Sequence, residues 1–138
     1  MYTNWVAGFL FRNEGKEVAL VLKTRPKWQA GKLNGVGGKI DEQETPLQAM
    51  QREFKEEAGA DIEDWKEFLL LKVQDGQVHF FVAHGDHQLQ SMTDEKIDWY
   101  KVDELADKPM IRNLRWQIPL ALDRGNTYTT TEYYQDHQ

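Results

Sequence analysis

The chain has no cysteine in its 138 residues, which excludes disulfide staples and thiolate zinc sites and leaves the redox compartment unread. No apolar run approaches the roughly 18–20 residues of a bilayer-crossing helix, so no membrane partner is expected. Met1-Tyr2-Thr3-Asn4 sets no basic stretch ahead of an apolar block, as a secretory leader would, and the default expectation is a cytoplasmic protein. An excess of positive charge is missing too. The formal net charge is −6, which is wrong for a protein that grips a nucleic-acid duplex by its phosphates. The histidines His79, His84, His87 and His137 keep no metal-ligand spacing and read as ordinary surface or strand residues. What is present, 40% hydrophobic and 29% charged residues, is the balance of a globular protein. The length suits one domain over residues 1–138, as a monomer or homodimer, because a second domain would leave both short of core.

Trp5–Phe11 and Val18–Leu22 read as strands joined by the turn residues Asn13-Glu14-Gly15. Their nearly unbroken apolar character implies burial on both faces. From Arg25 to Gly38 the chain carries Pro26, Gly31, Gly35, Gly37 and Gly38, so a loop is expected there, with a short strand near Leu33–Val36. A helix then starts on clear signals: Thr45 as cap, Pro46 at the first helical position and Gln48 where a capping box wants Glu or Gln. Gly59 can end it. Phe68–Leu71 and Val78–Val82 should pair around Asp75-Gly76, with Phe80 and Phe81 pointing one to core and one towards a pocket. Ile97–Val102 alternates as a strand does. Asn113–Leu122 reads as a second helix that Pro119 would interrupt or kink. The polar tail 123–138 includes Thr127–Tyr134, an edge strand or a disordered stretch. Strands on both sides of a central helix make an α/β sandwich with a mixed sheet.

The informative element is the helix Pro46–Ala58. At about 100° per residue, Leu47, Met50, Phe54 and Ala58 line one apolar face, and Glu53, Glu56 and Glu57 share an adjacent one. Arg52 flanks them. Like charges at these spacings repel by a few tenths of a kcal/mol per pair. Glu56 and Glu57 also oppose the dipole of the last turn, by roughly 0.3–1 kcal/mol each. Hard cations held among these oxygens would reverse both effects, and oxygen-only donors favour Mg²⁺ or Mn²⁺ over zinc. A plain solvated acidic face also fits the three acids taken alone. Lys23, Arg25, Lys27, Lys32 and Lys39 fall in a stretch without Asp or Glu, either a solvated basic loop or a cationic wall for a small polyanion. Trp28, in that loop, can stack on a base or anchor the loop partly buried.

Written out, the region runs Gly38, five residues, Glu44, seven residues, then Arg52-Glu53-Phe54-Lys55-Glu56-Glu57-Ala58-Gly59-Ala60. This resembles the signature of the Nudix hydrolases over residues 38–60. The one departure is Ala60, where the family usually has a bulkier aliphatic, and it bears on packing. The resemblance implies an α/β/α sandwich that uses Mg²⁺ or Mn²⁺ to hydrolyse a nucleoside diphosphate linked to another group. On the matching positions, Glu53, Glu56, Glu57 and the Gly37 carbonyl are implied metal ligands. Glu53 or Glu56 is also implied to orient or deprotonate the attacking water. Arg52 is implied to hold a helix carboxylate in place, and Glu44 to support the loop or a water.

Gly31-Lys32-Leu33-Asn34-Gly35-Val36-Gly37-Gly38-Lys39 looks like the loop of the branch that removes pyrophosphate from oxidised purine nucleoside triphosphates. The resemblance implies that Asn34 reads the base, that Lys39 reaches a phosphate and that Glu95, in Thr93-Asp94-Glu95, is a further metal or base-handling carboxylate. Lys23, Arg25, Trp28 and Asn113 complete the substrate candidates. Leu33 replaces an aromatic of that branch, and Met110-Ile111-Arg112-Asn113 lacks its Trp and acidic pair, so Asn113 reads equally as a helix cap. Within the family, ADP-ribose, a dinucleoside polyphosphate, NADH or a capped RNA end are alternative substrates. A non-catalytic nucleotide sensor is the alternative of another class; such proteins usually lose helix carboxylates, which this chain keeps.

Overall fold

In the computed structural model, which describes residues 2–132, two long strands lie side by side in parallel. They are β1 (Thr3–Arg12) and β6 (Gly76–His84), registered from Thr3 opposite Gly76 to Phe11 opposite His84. Around them are β2 (Glu17–Leu22), β3 (Leu33–Asn34), β4 (Val36–Lys39), β5 (Lys66–Val73), β7 (Ile97–Lys101) and β8 (Tyr128–Thr131). The path through the sheet is β3-β2-β1-β6-β5-β8, with β4 also on β1 and β7 on β2. β5 and β8 are parallel and the remaining pairs antiparallel, so the sheet is mixed as expected. No described helix is long and apolar enough to cross a membrane.

Each face of the sheet carries its own core and its own helix. Val6, Leu10 and Phe81 pack with Ala49, Met50, Phe54 and Ala58 of α1 (Pro46–Ala58). Phe9, Phe11 and Phe80 pack with Leu114, Ile118 and Ala121 of α2 (Leu114–Leu122). Successive strand residues point to opposite faces, so the helix–sheet–helix sandwich follows from the period-two pattern. That settles the placement of Phe80 and Phe81: both are buried, one in each core.

Other details depart from expectation. Leu47 stays exposed and Ala49 is buried in its place. Helical side chains tilt towards the N-terminus, which carries a first-turn residue such as Leu47 out past the contact with the sheet. α2 runs through Pro119 rather than stopping. Proline forfeits the one bond its missing N–H would give four residues back, and the packing of Leu114, Ile118 and Ala121 holds so short a helix regardless. The edge-strand reading of the tail describes 128–131, where β8 lies on β5; positions 133–138 of that tail, His137 among them, lie outside the described residues.

Candidate active site

The capping box of α1 is complete. Thr45 Oγ1 accepts from the Gln48 N–H at 3.1 Å and Gln48 Oε1 accepts from the Thr45 N–H at 2.9 Å. This sets the start of the helix. Arg52 is the hub. Its Nε donates to Glu44 Oε2 at 2.6 Å, and its Nη2 to Glu44 Oε1 at 3.0 Å and to the Lys39 carbonyl at 3.1 Å. Its Nη1 donates to Glu53 Oε2 at 3.0 Å and to Glu56 Oε1 at 3.3 Å. One planar guanidinium thus ties the end of β4, the turn before α1 and two of the helix acids together. The Arg52 hydrogen bonds hold the Glu44 carboxyl below its ordinary range, and Glu44 chiefly holds Arg52 above its own. Glu44 also accepts from the Asp41 N–H at 2.9 Å, which closes the turn.

Glu53 lies against the backbone of β4, where a Cβ on Gly38 would fall on its carboxylate; glycine is needed there to admit the acid. Gly37 serves a different purpose, since a Cβ there would meet the Val6 carbonyl of β1. One turn beyond Glu53, Glu57 is half-buried and within hydrogen-bonding reach of it. Burial first, and Glu53 second, hold the Glu57 carboxyl well above its ordinary range, with Lys23 acting in the opposite direction. Two carboxyl groups forced together in this way share a proton unless a cation takes its place. Among the described residues no three acidic or imidazole groups already stand as a cation cage. The all-oxygen donors of the Glu53–Glu57 pair, with a glycine strand against them, nevertheless suit a hard divalent ion. Glu56 is the outlying acid, its side chain 59% exposed.

Glu95 approaches from the far side of the chain. The segment before it is pinned to the end of α1, because Gln90 N–H donates to the Ala58 carbonyl at 2.9 Å and Met92 N–H to the Glu57 carbonyl at 3.1 Å. These contacts satisfy carbonyls that every helix end leaves unpaired. Glu95 is buried, yet it accepts from Lys23 Nζ at 2.9 Å, from the Thr24 N–H at 2.6 Å, from Thr24 Oγ1 at 3.1 Å and from the Arg25 N–H at 3.2 Å. Burial disfavours its charge, but the Thr24 N–H and Lys23 outweigh that and bring its pKa down to about 2. Neither Thr24 nor the pinning residues Gln90 and Met92 stood out in the sequence. For Gln90 and Met92 the carbonyls left unpaired at the end of α1 were the signal that partners must exist; they carry no such signal for Thr24, which bonds Glu95 instead.

The substrate candidates divide. Lys23 is paired with Glu95, and Arg25 with Asp94, so these two are not free charges of an open wall. Lys27, Lys32 and Lys39 are exposed. Trp28 is 62% exposed, which overturns the buried-anchor reading and leaves its ring open for stacking. Asn34 Nδ2 donates to Gln29 Oε1 at 3.0 Å, while its Oδ1 accepts from the Gly35 N–H at 2.8 Å. Asn113 occupies the cap position of α2, but its side chain makes no cap hydrogen bond, because its backbone is already helical there. The Ile111 N–H donates to the Leu33 carbonyl at 3.0 Å, which places the approach to Asn113 beside the strand that carries Asn34.

An acid-bearing helix seated on a mixed sheet, its carboxylates facing a glycine strand and bound through one arginine, is the architecture of a Nudix-type fold. Residues 1–120 match the NUDIX domain family, and the chain belongs to it. Over 54 residues it is 41% identical to the 8-oxo-dGTP diphosphatase of Escherichia coli (strain K12), a stretch that covers 39% of this chain and 42% of that relative. Less than half of the relative's length is therefore matched. Among solved structures, a MutT protein from Bacillus halodurans superposes with a TM-score of 0.80 at 21% identity, covering 96% of this chain and 90% of the other. The NUDIX domain of Shewanella oneidensis NrtR, in complex with ADP ribose, gives 0.79 at 17% identity, covering 90% and 88%. At such identities these likenesses establish the fold.

Proposed function

We propose that the protein hydrolyses a nucleoside triphosphate, with a purine (oxidised or not) as the preferred base, to the monophosphate and pyrophosphate in a Mg²⁺- or Mn²⁺-dependent reaction. The observation that carries this reading is the Glu53–Glu57 pair set against Gly38 beneath the Arg52 fork. Glu53, Glu57 and Glu56, with the Gly37 carbonyl, are the groups that would hold the cation, which when bound offsets the charge of the diphosphate oxygens and favours attack by water. Arg52 and Glu44 keep those acids in place. Glu56, the most exposed of the three, takes the proton of the attacking water. The water oxygen joins phosphorus, the anhydride bond breaks, and its oxygen leaves with the pyrophosphate. Glu95 is engaged by Lys23 and the turn at Thr24-Arg25 and supports that turn beside Glu57, in place of the metal or base-handling role that the family resemblance implies for it. Lys39 and Lys32 face the phosphates, Asn34 and Asn113 the base, and Trp28 offers a face for stacking.

The test is a panel of nucleoside triphosphates, their oxidised purine forms, ADP-ribose, NADH and dinucleoside polyphosphates, incubated with Mg²⁺ and separated by chromatography. Monophosphate and pyrophosphate from a purine triphosphate are expected. Turnover of ADP-ribose alone would replace the substrate assignment, and turnover of nothing would favour a binding role.

A further inference from the structure

Asn113 carries an amide whose two ends present opposite polarity, and in isolation a half-turn of the side chain exchanges them. Here both ends are engaged. Nδ2 donates to Glu132 Oε2 at 3.1 Å, and Oδ1 accepts from the indole Nε1 of Trp116 at 3.4 Å. A carboxylate only accepts and an indole N–H only donates, so this pair of partners permits one orientation of the amide and penalises the other. Of the two, Glu132 makes the shorter contact and bears the charge. Its side chain is 19% exposed, its backbone N–H is anchored to the Lys72 carbonyl of β5 at 2.8 Å, and Arg112 Nη2 stands 3.5 Å from its carboxylate. The residue arrives from the end of β8, 19 positions along the chain from the amide it holds.

We propose that Glu132 is a positioning residue for base selection. By holding the Asn113 amide in one orientation, it leaves one N–H and one oxygen lone pair of set polarity for the edge of a base. The inference rests on the reading of Asn113 as a base contact. A purine edge with donor and acceptor in the complementary order gains both bonds; one with the reverse order meets two mismatched groups, which costs more than a missing bond. β8 is then part of the specificity apparatus rather than a passive edge strand.

The experiment compares wild type, Glu132→Ala, Glu132→Gln, Asn113→Ala and the Asn113→Ala/Glu132→Ala double variant on adenine, guanine and pyrimidine nucleoside triphosphates with Mg²⁺. Thermal unfolding of each variant is followed alongside. For Glu132→Ala the preferred base should lose about three- to tenfold in kcat/KM, through KM with kcat little changed, while the disfavoured bases change less. Glu132→Gln keeps an acceptor oxygen and should restore most of the preference. In the Asn113→Ala background, removing Glu132 should do nothing further to the base ratio, because its effect passes through the amide. If Asn113→Ala shifts the base ratio but Glu132→Ala does not, or if Glu132→Ala acts equally with and without Asn113, the inference is overturned alone. If Asn113→Ala leaves the ratio untouched, or the wild type turns over no triphosphate, the underlying reading fails and takes this one with it. A uniform loss on every base that tracks a lowered melting temperature also counts against it.

Discussion

Arg52 donates to three carboxylates and a backbone carbonyl at once, which a lysine's single ammonium on a flexible stem cannot reproduce. Arg52→Lys should therefore weaken the cation requirement's midpoint about 10–100-fold while leaving a folded protein, read from the Mg²⁺ dependence of turnover. An unchanged midpoint would remove Arg52 from the support of the site. Glu56→Gln keeps the shape and one acceptor oxygen but removes the base, so kcat should fall by about two to four orders of magnitude with little change in the melting temperature. A near-wild-type rate would return the proton to Glu53. At this scale the acids of α1 were legible because their spacing is local: one helical period places them, whatever the rest of the fold does. Glu95 was legible as a residue of interest but not as the partner of Lys23, which lies 72 positions away. Nor could the sequence reveal that Gly38, a residue of β4, is needed there to admit the Glu53 carboxylate.

Among the elements, α1 was the most predictable because both of its ends are written in the chain. Thr45 caps it, Gln48 closes the box, and Gly59 ends it in the left-handed conformation. Thr45→Ala should lower stability by about 1 kcal/mol, seen as a lower denaturant midpoint at constant slope, and should leave the cation midpoint nearly unchanged because Arg52 is held independently by Glu44. The hairpin of β5 and β6 was equally local. The parallel pairing of β1 with β6 was not, since nothing in either strand names its partner across the intervening helix. His84, at the end of β6, stacks on Phe11 of β1 with ring centroids 5.6 Å apart and so closes this pairing at one end. Burial, with Arg124 second, lowers its pKa below the ordinary 6.5. A base whose folded pKa is depressed binds its proton more readily when unfolded. Its contribution to stability is thus complete above pH 6.5 and is lost as the pH falls through the depressed value. Unfolding midpoints measured from pH 8 down to about pH 5 should decline, and less steeply in His84→Gln; parallel curves would show that His84 does not titrate in this way.

On the scale of the whole molecule, the chain carries a net charge of −6 and still gathers Glu53, Glu57 and the ionised Glu95 at one end of α1. The repulsion is offset in part by Lys23 and Arg52, and the fold accepts the remainder because the two cores on either face of the sheet are large and continuous. An opposing ion should therefore act on the stability of the entire protein as well as on turnover. A ligand that binds only the folded state adds about 2.7 kcal/mol when present at a hundred times its dissociation constant. The melting temperature should accordingly rise with Mg²⁺ or Mn²⁺ and keep rising with the logarithm of concentration. Monovalent salt at matched ionic strength should do less, because screening weakens repulsion everywhere without filling the gap between Glu53 and Glu57. Glu53→Gln makes the comparison decisive. It removes one acid of the crowded pair, so the metal-free variant should melt at or above the wild type, yet it should lose most of the response to divalent ions. If the variant instead kept the full divalent shift, the ions would be binding elsewhere on an acidic surface, and the carboxylates of α1 would be a charged helix face with no cation of their own.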